Sequence, residues 1–227
     1  MDSAADRAIL PGMRPLLHDY FRSSAAYRVR IGLNLKNIGF DRHSVSLAAG
    51  DQKTPNYRAL NPQGFVPMLE IDGERLTQSL SILVHLDQTR PEPAFLPADP
   101  AASAHVRALA LTVACDIHPL NNLRVLRYLK DQLGHDQAAI DNWYRQWIAE
   151  GLAALEALAR PRAGAFLYGD EVGLTDICLV PQMYNARRFD APLDDFPTLL
   201  RAEAAATALP AFIAAHPDTV LAQEQAS

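Results

Sequence analysis

The sequence predicts an α/β domain followed by an all-helical one, and three observations carry that reading. Strand-like and helix-like runs alternate up to about residue 90. Four prolines then crowd RPEPAFLPADPAA, residues 90 to 102, and interrupt every periodic pattern. Alanine and leucine dominate from Ala102 to Ala159, with a break near Gly134 and His135. The 227 residues suffice for two modest domains. The expected division is a loose extension over residues 1–14, an α/β domain over 15–89, a linker over 90–101 and a helical domain over 102–227.

The elements follow in order. LLHDY, residues 16 to 20, reads as a short strand. Arg22, Ser23 and Ser24 form a polar turn. From Ala25 to Ile38, apolar residues recur at Ala26, Val29, Leu33 and Ile38, close to helical spacing, and Gly39 is the expected stop. RHSVSL, residues 42 to 47, alternates as a second strand, and AAGDQKTPN reads as loop. Gly64 ends the next segment. Val66 to Ile71 is a strand, Asp72-Gly73 a tight-turn dipeptide, and Glu74 to Leu76 the returning strand. Ser79 is placed to cap a helix reaching about Gln88. Beyond the linker, two long helical segments fit an antiparallel pair. Leu174 to Phe189 is a further helix, and one or two shorter ones follow Phe196.

Bulk properties narrow the function classes. Apolar residues make up 49% and charged residues 21%, the range of ordinary soluble proteins. A formal charge of −5, from 21 basic and 26 acidic residues, argues against bulk nucleic-acid or anionic-membrane binding. Cys115 and Cys178 are the only cysteines, too few and too far apart for a disulfide framework, so a reducing, cytoplasmic setting is expected. No apolar run reaches membrane-helix length, and the start lacks the basic-then-apolar plan of a signal peptide. Phosphate loops, dinucleotide fingerprints and metal-ligand spacings are absent.

Ser23 and Ser24 stand where a helix begins. Unpaired backbone N–H groups and the positive helix end favour an anion there, and a thiolate so placed has a lowered pKa. Plain N-capping is the alternative. Val66-Pro67 opens a strand, where a residue that cannot donate to the ladder fits an edge position or a cis bond. Gln78 and Ser79 start another helix and suit a carboxylate. Pro119 predicts a bend beside His118, Asn121, Asn122 and Arg124.

RSSAAYRVRIGLNLK, NPQGFVPMLEIDG, TQS and VGLTDICLVPQMYNARRF together resemble the zeta class of glutathione transferases, and more closely its bacterial maleylacetoacetate and maleylpyruvate isomerases. The resemblance runs from about Pro15 to His216. It implies a thioredoxin-like N-terminal domain, a helical C-terminal domain, a homodimer and glutathione as cofactor. Ser23 matches the serine assigned to the glutathione sulfur, with Ser24 as the neighbouring candidate. The related motif often continues with cysteine, but this chain has Ala25, so the nucleophile must be the cofactor's own sulfur. The resemblance also implies a cis Pro67, with the Val66 backbone against the cysteinyl part of glutathione. Gln78 and Ser79 would meet the γ-glutamyl carboxylate, and Gln52 the glycyl end. His118, Asn122 and Arg124 would face cofactor and substrate, and Arg22 and Arg188 would bind the carboxylates of a small dicarboxylate.

Four further residues receive other readings. Arg187 is expected to be a solvated helix charge. Arg28 and Arg30 are expected to be structural or interface ions, and Asp176 the acid of a capping box opened by Gly173. The implied reaction is cis–trans isomerisation of maleylacetoacetate to fumarylacetoacetate by reversible thiolate addition. Maleylpyruvate isomerisation, conjugation of small α-haloacids and noncatalytic glutathione binding are the alternatives.

Overall fold

The computed structural model describes residues 12–226. The expected extension over residues 1–14 therefore lies, but for its last three residues, outside the described residues. The chain divides into two compact units: residues 12–93 together with 210–226, and residues 94–209.

The first unit is built on four short strands. β1 (Leu16–Asp19) leads to helix α1 (Ser24–Leu35) and then to β2 (Asp41–Ser44). A 3-10 turn (Asp51–Lys53) and helix α2 (Pro55–Leu60) occupy the stretch expected to be loop. Thr54 caps α2 by accepting from the Tyr57 N–H at 3.3 Å, and Pro55 sits at its first turn, where no N–H is needed. β3 (Met68–Ile71), β4 (Glu74–Thr77) and helix α3 (Ser79–Thr89) follow. The sheet order is β2-β1-β3-β4, with β2 parallel to β1 and the other neighbours antiparallel.

The second unit contains α4 (Pro100–Leu111), a π-helical stretch (Thr112–Ile117), α5 (Leu123–Asp131), α6 (Gln137–Ala159), α7 (Leu174–Arg188) and α8 (Pro197–Thr207). The local irregularity therefore starts at Thr112, ahead of the expected bend at Pro119. A Cβ at Gly151 of α6 would lie 2.2 Å from Ile117, so only glycine lets α6 pack this close to the π stretch. The last two helices, α9 (Pro210–Ala215) and α10 (Pro217–Ala226), belong to the first unit. This differs from the expected helical domain over 102–227. The cause is a set of long-range bonds to that segment: Arg30 Nε to the Ala215 carbonyl at 3.0 Å, Asn34 Nδ2 to the Ala211 carbonyl at 3.0 Å, and Arg42 to Glu224.

Helix α1 is the centre of the first unit and is buried from Ala26 to Leu33. Its apolar side chains fill the core, while Arg28 and Arg30 are almost wholly buried. Arg30 is satisfied there: Nη1 reaches both Asp19 carboxylate oxygens at 2.7 and 2.9 Å, and Nη2 the Phe21 carbonyl at 2.9 Å. A buried charge persists only with such partners. The helix stops before Gly39. Asn37 takes the left-handed conformation (φ 53°), and the Ile38 N–H closes onto the Leu33 carbonyl at 2.9 Å. Other boundaries also shift. β3 starts at Met68 rather than Val66, because Pro67 has no N–H for the ladder. β2 ends at Ser44 rather than Leu47. Among the described residues, no helix is long and apolar enough to cross a membrane.

Candidate functional site

Register decides what the first unit brings together. His18 near the end of β1 pairs with Met68 at the start of β3, and Met68 pairs with Thr77 at the end of β4. Asp19 pairs in parallel with Ser44, the end of β2. The segments that leave β1, β2 and β4, and the one that enters β3, therefore all lie at one end of the sheet. Those segments carry Arg22, Ser23 and Ser24, then Gln52, then Val66 and Pro67, then Gln78 and Ser79.

Ser23 is the N-cap of α1, and its Oγ accepts from the Ala26 N–H at 3.2 Å. Capping and anion binding are compatible, since a hydroxyl that accepts still has its own hydrogen to donate. Ser24 is the first helical residue and is buried. Arg22 is exposed. Its Nη2 donates to the Tyr20 hydroxyl at 3.0 Å, and its guanidinium lies 5.0 Å from the Phe21 ring centre.

The Val66-Pro67 bond is cis. The corner before it is fixed by two residues that sequence reading missed: Tyr57 Oη and Asn61 Nδ2 both donate to the Phe65 carbonyl, at 2.7 and 2.8 Å. Burial pushes the Tyr57 phenol up to about 12, so it remains a neutral donor. The one available signal was Tyr57 in the Thr54-Pro55 helix start. Gln52 is buried, and its Oε1 has no partner among the described residues. Gly64 (φ 63°) supports that loop, because a Cβ there would sit 2.8 Å from the Gln52 carbonyl.

Ser79 is not the cap of α3, contrary to expectation. Gln78 is the N-cap, with φ 67° and ψ 114°, and Ser79 begins the helix. A positive φ on a glutamine is sterically costly and uncommon. Gln78 Nε2 donates to Gln63 Oε1 at 3.1 Å. Ser79 is buried, and its Oγ accepts from Arg28 Nη1 at 3.3 Å. Arg28 is thus a structural ion that ties α1 to the start of α3.

In the second unit, His118 closes the π stretch, and its N–H bonds to the Val113 carbonyl at 3.0 Å. A tight turn follows, and Asn122 caps α5 by accepting from the Arg124 N–H at 3.1 Å. Arg124 is exposed. At the end of α7 the two adjacent arginines differ. Arg187, expected to be solvated, is paired through both guanidinium branches with Glu203 of α8, which raises its pKa. Arg188 is exposed and has no hydrogen-bond acceptor among the described residues, so its guanidinium can receive a carboxylate. Asp176 completes the box at the start of α7, with Oδ2 accepting from the Gly173 N–H at 3.0 Å and Oδ1 from the Leu167 N–H at 2.8 Å. Burial pushes its carboxyl up to about 6 against those donors.

The first-unit constellation fits a tripeptide thiol with charged ends. A helix N-terminus with a spare hydroxyl suits a thiolate, a second helix start suits a carboxylate, and a buried amide oxygen at Gln52 can accept from an N–H. No group of three or more His, Cys, Asp or Glu placed to hold a metal ion occurs among the described residues.

Comparison with known proteins agrees with this chemistry. Residues 22–89 match the glutathione S-transferase N-terminal domain family. A probable maleylacetoacetate isomerase of Vibrio cholerae is 46% identical over 209 residues, covering 91% of this chain and 97% of the relative. The holo structure of a bacterial zeta-class glutathione S-transferase, a maleylpyruvate isomerase, superposes with a TM-score of 0.88 at 41% identity, covering 90% of this chain and 97% of that one. A maleylacetoacetate isomerase from Anaeromyxobacter dehalogenans, with dicarboxyethyl glutathione and citrate in its active site, gives 0.83 at 44% identity, covering 92% and 97%.

Proposed function

This chain belongs to the zeta-class glutathione transferase family of maleylacetoacetate and maleylpyruvate isomerases, and from that premise we propose that it isomerises maleylacetoacetate to fumarylacetoacetate with glutathione as cofactor. The observation that carries the reading is the gathering of the α1 and α3 N-termini and the Val66-Pro67 corner at one end of the sheet. When bound, glutathione supplies a thiolate that adds to the maleyl double bond, allows rotation about it and leaves again.

The chain's own residues hold and tune. Ser23 donates its hydroxyl hydrogen to the anionic sulfur at the α1 N-terminus, with Ser24 as the fallback. That favours the ionised thiol over the neutral one. The Val66 backbone holds the cysteinyl part. Gln78 and Ser79, with the α3 N-terminus, take the γ-glutamyl carboxylate. Gln52 takes the glycyl end, and His118 and Asn122 contribute from the helical unit. Arg22, Arg124 and Arg188 are assigned to the substrate's carboxylates and to the negative charge that develops on its conjugated carbonyl. We further propose a homodimer, which sedimentation at micromolar concentration tests; a monomer would remove the dimer and leave the isomerase reading standing.

Maleylpyruvate is the second reading, because overall likeness does not separate the two: a maleylpyruvate isomerase superposes with a TM-score of 0.88 and a maleylacetoacetate isomerase with 0.87. Both compounds offer the same maleyl group, so the distinction rests on the arm that carries the distal carboxylate. Side-by-side kcat/KM values at saturating glutathione decide it. A strong preference for maleylpyruvate reverses the substrate and keeps the mechanism. No turnover of either, with glutathione bound, moves the reading to α-haloacid conjugation or to noncatalytic binding.

A further inference from the structure

Both groups of substrate candidates in the helical unit are fastened to one turn of α6. Trp143 Nε1 donates to the Leu120 carbonyl at 2.9 Å, and Asn121 Nδ2 donates to the Tyr144 carbonyl at 3.2 Å. These bonds hold the turn that carries His118, Asn122 and Arg124. The Tyr144 side chain points to the other group. Its hydroxyl accepts from Asn185 Nδ2, and its ring stacks on Phe189, centroids 3.5 Å apart and planes 11° from parallel. Asn185 lies one helical turn before Arg188, and Phe189 directly follows it. Tyr144 therefore grips the end of α7 on both sides of the arginine that lacks an acceptor. Its side chain is almost wholly buried, so the grip is well packed.

We propose that Tyr144 is a positioning residue for substrate recognition, which sets Arg188 through Asn185 and Phe189. The inference rests on the assignment of Arg188 to a substrate carboxylate. Tyr144 touches no reacting atom in this scheme. Burial pushes its phenol up to about 12. The grip consequently stays neutral and unchanged across the neutral pH range, and it adds no ionisation of its own to the pH profile.

The test is a double-mutant cycle on the full-length protein. Y144F keeps the ring but removes the acceptor for Asn185; N185A removes the donor and serves if Y144F folds poorly. Each is made alone and with R188M. For each, KM and kcat with maleylacetoacetate and with maleylpyruvate, the glutathione Kd and Tm are measured. In the wild-type background, either change should raise KM for the diacids about three- to tenfold, the equivalent of one lost hydrogen bond. kcat should stay within about twofold, and glutathione affinity should not change. In the R188M background the same change should leave KM where R188M put it, because the residue it positions is gone. A purely structural role would lower Tm and act equally in both backgrounds, which overturns the proposal. R188M raising KM while Y144F and N185A do not also overturns it, with the arginine's assignment intact. An unchanged KM in R188M overturns the assignment and the inference together.

Discussion

The two units prepare for ligands in different ways. In the first, the proposed recognition is mostly backbone: helix starts and the Val66-Pro67 corner, arranged by strand register. Four of its cations are paired internally, Arg30 on Asp19, Lys36 on Asp87, Arg42 on Glu224 and Arg90 on Asp72, while Arg22 is exposed. In the second, the proposed recognition depends on side chains, and the contrast narrows to two adjacent arginines, one neutralised by Glu203 and one left open. Backbone sites are hard to remove by substitution. Side-chain sites can be lost one residue at a time.

The largest expected effect probes a side chain in the first unit, the Ser23 hydroxyl. Ser23→Ala should lower kcat/KM roughly a hundredfold, the scale of a lost anion-stabilising donor. It should also raise the pKa of bound glutathione, read by thiolate absorbance. A wild-type thiol pKa in the variant would make the backbone alone responsible. In the second unit, Asp176 has a carboxyl raised to about 6 in the folded state and near 3.9 in the unfolded chain. The unfolded state gives up this proton first. The stability contribution is therefore complete below about pH 4 and is lost as pH rises through about 6. Chemical denaturation at several pH values should show that fall in wild type and a flatter line in Asp176→Asn.

Arg188→Met should raise KM for the diacid by about tenfold or more, the scale of a charge-assisted bond, with glutathione binding intact. Gly64→Ala forces a side chain onto positive φ and a Cβ to 2.8 Å from the Gln52 carbonyl. A loss of about 2 kcal/mol in denaturation is expected. Arg187→Met is the smallest for recognition: no change in KM, although it strands the buried Glu203 carboxylate and should lower Tm. If Arg187→Met raised KM as much as Arg188→Met, the contrast between the neighbours would collapse.

How much of this the sequence disclosed follows the same division. Period-2 alternation, Asp72-Gly73 and Ser23 are local signals that mark the elements, whereas the pairing of β1 with β2 and β3 that gathers them at one end of the sheet is long-range. Helix α2 had a local signal too, Thr54-Pro55, but the polar loop around it outweighed the reading. The helix stop at Asn37 was hidden by the more obvious Gly39 two residues on. In the second unit the determining contacts are remote. Arg187 and Glu203 are sixteen residues apart, and Asn185 and Tyr144 are forty-one apart. Only the resemblance separates the two arginines of NARRF, and it does not foresee the Glu203 partner of Arg187. The π stretch is equally silent: TVACDI carries no local signal for it, and its close approach to Gly151 through Ile117 is a long-range contact.

The return of residues 210–226 to the first unit has a consequence for biosynthesis. Domains ordinarily fold in the order they leave the ribosome. Here the helix capped by Ser23 is buried against a segment near the end of the chain, and Arg30 has one partner, the Ala215 carbonyl, that emerges 185 residues later. The thiol site should accordingly mature last, after the helical unit between its halves has formed. A chain ending at Leu209 should leave α1 open to proteolysis, whereas the same chain supplied with residues 210–227 as a separate peptide should regain protection. Protection without the peptide would show that the N-terminal half matures unaided.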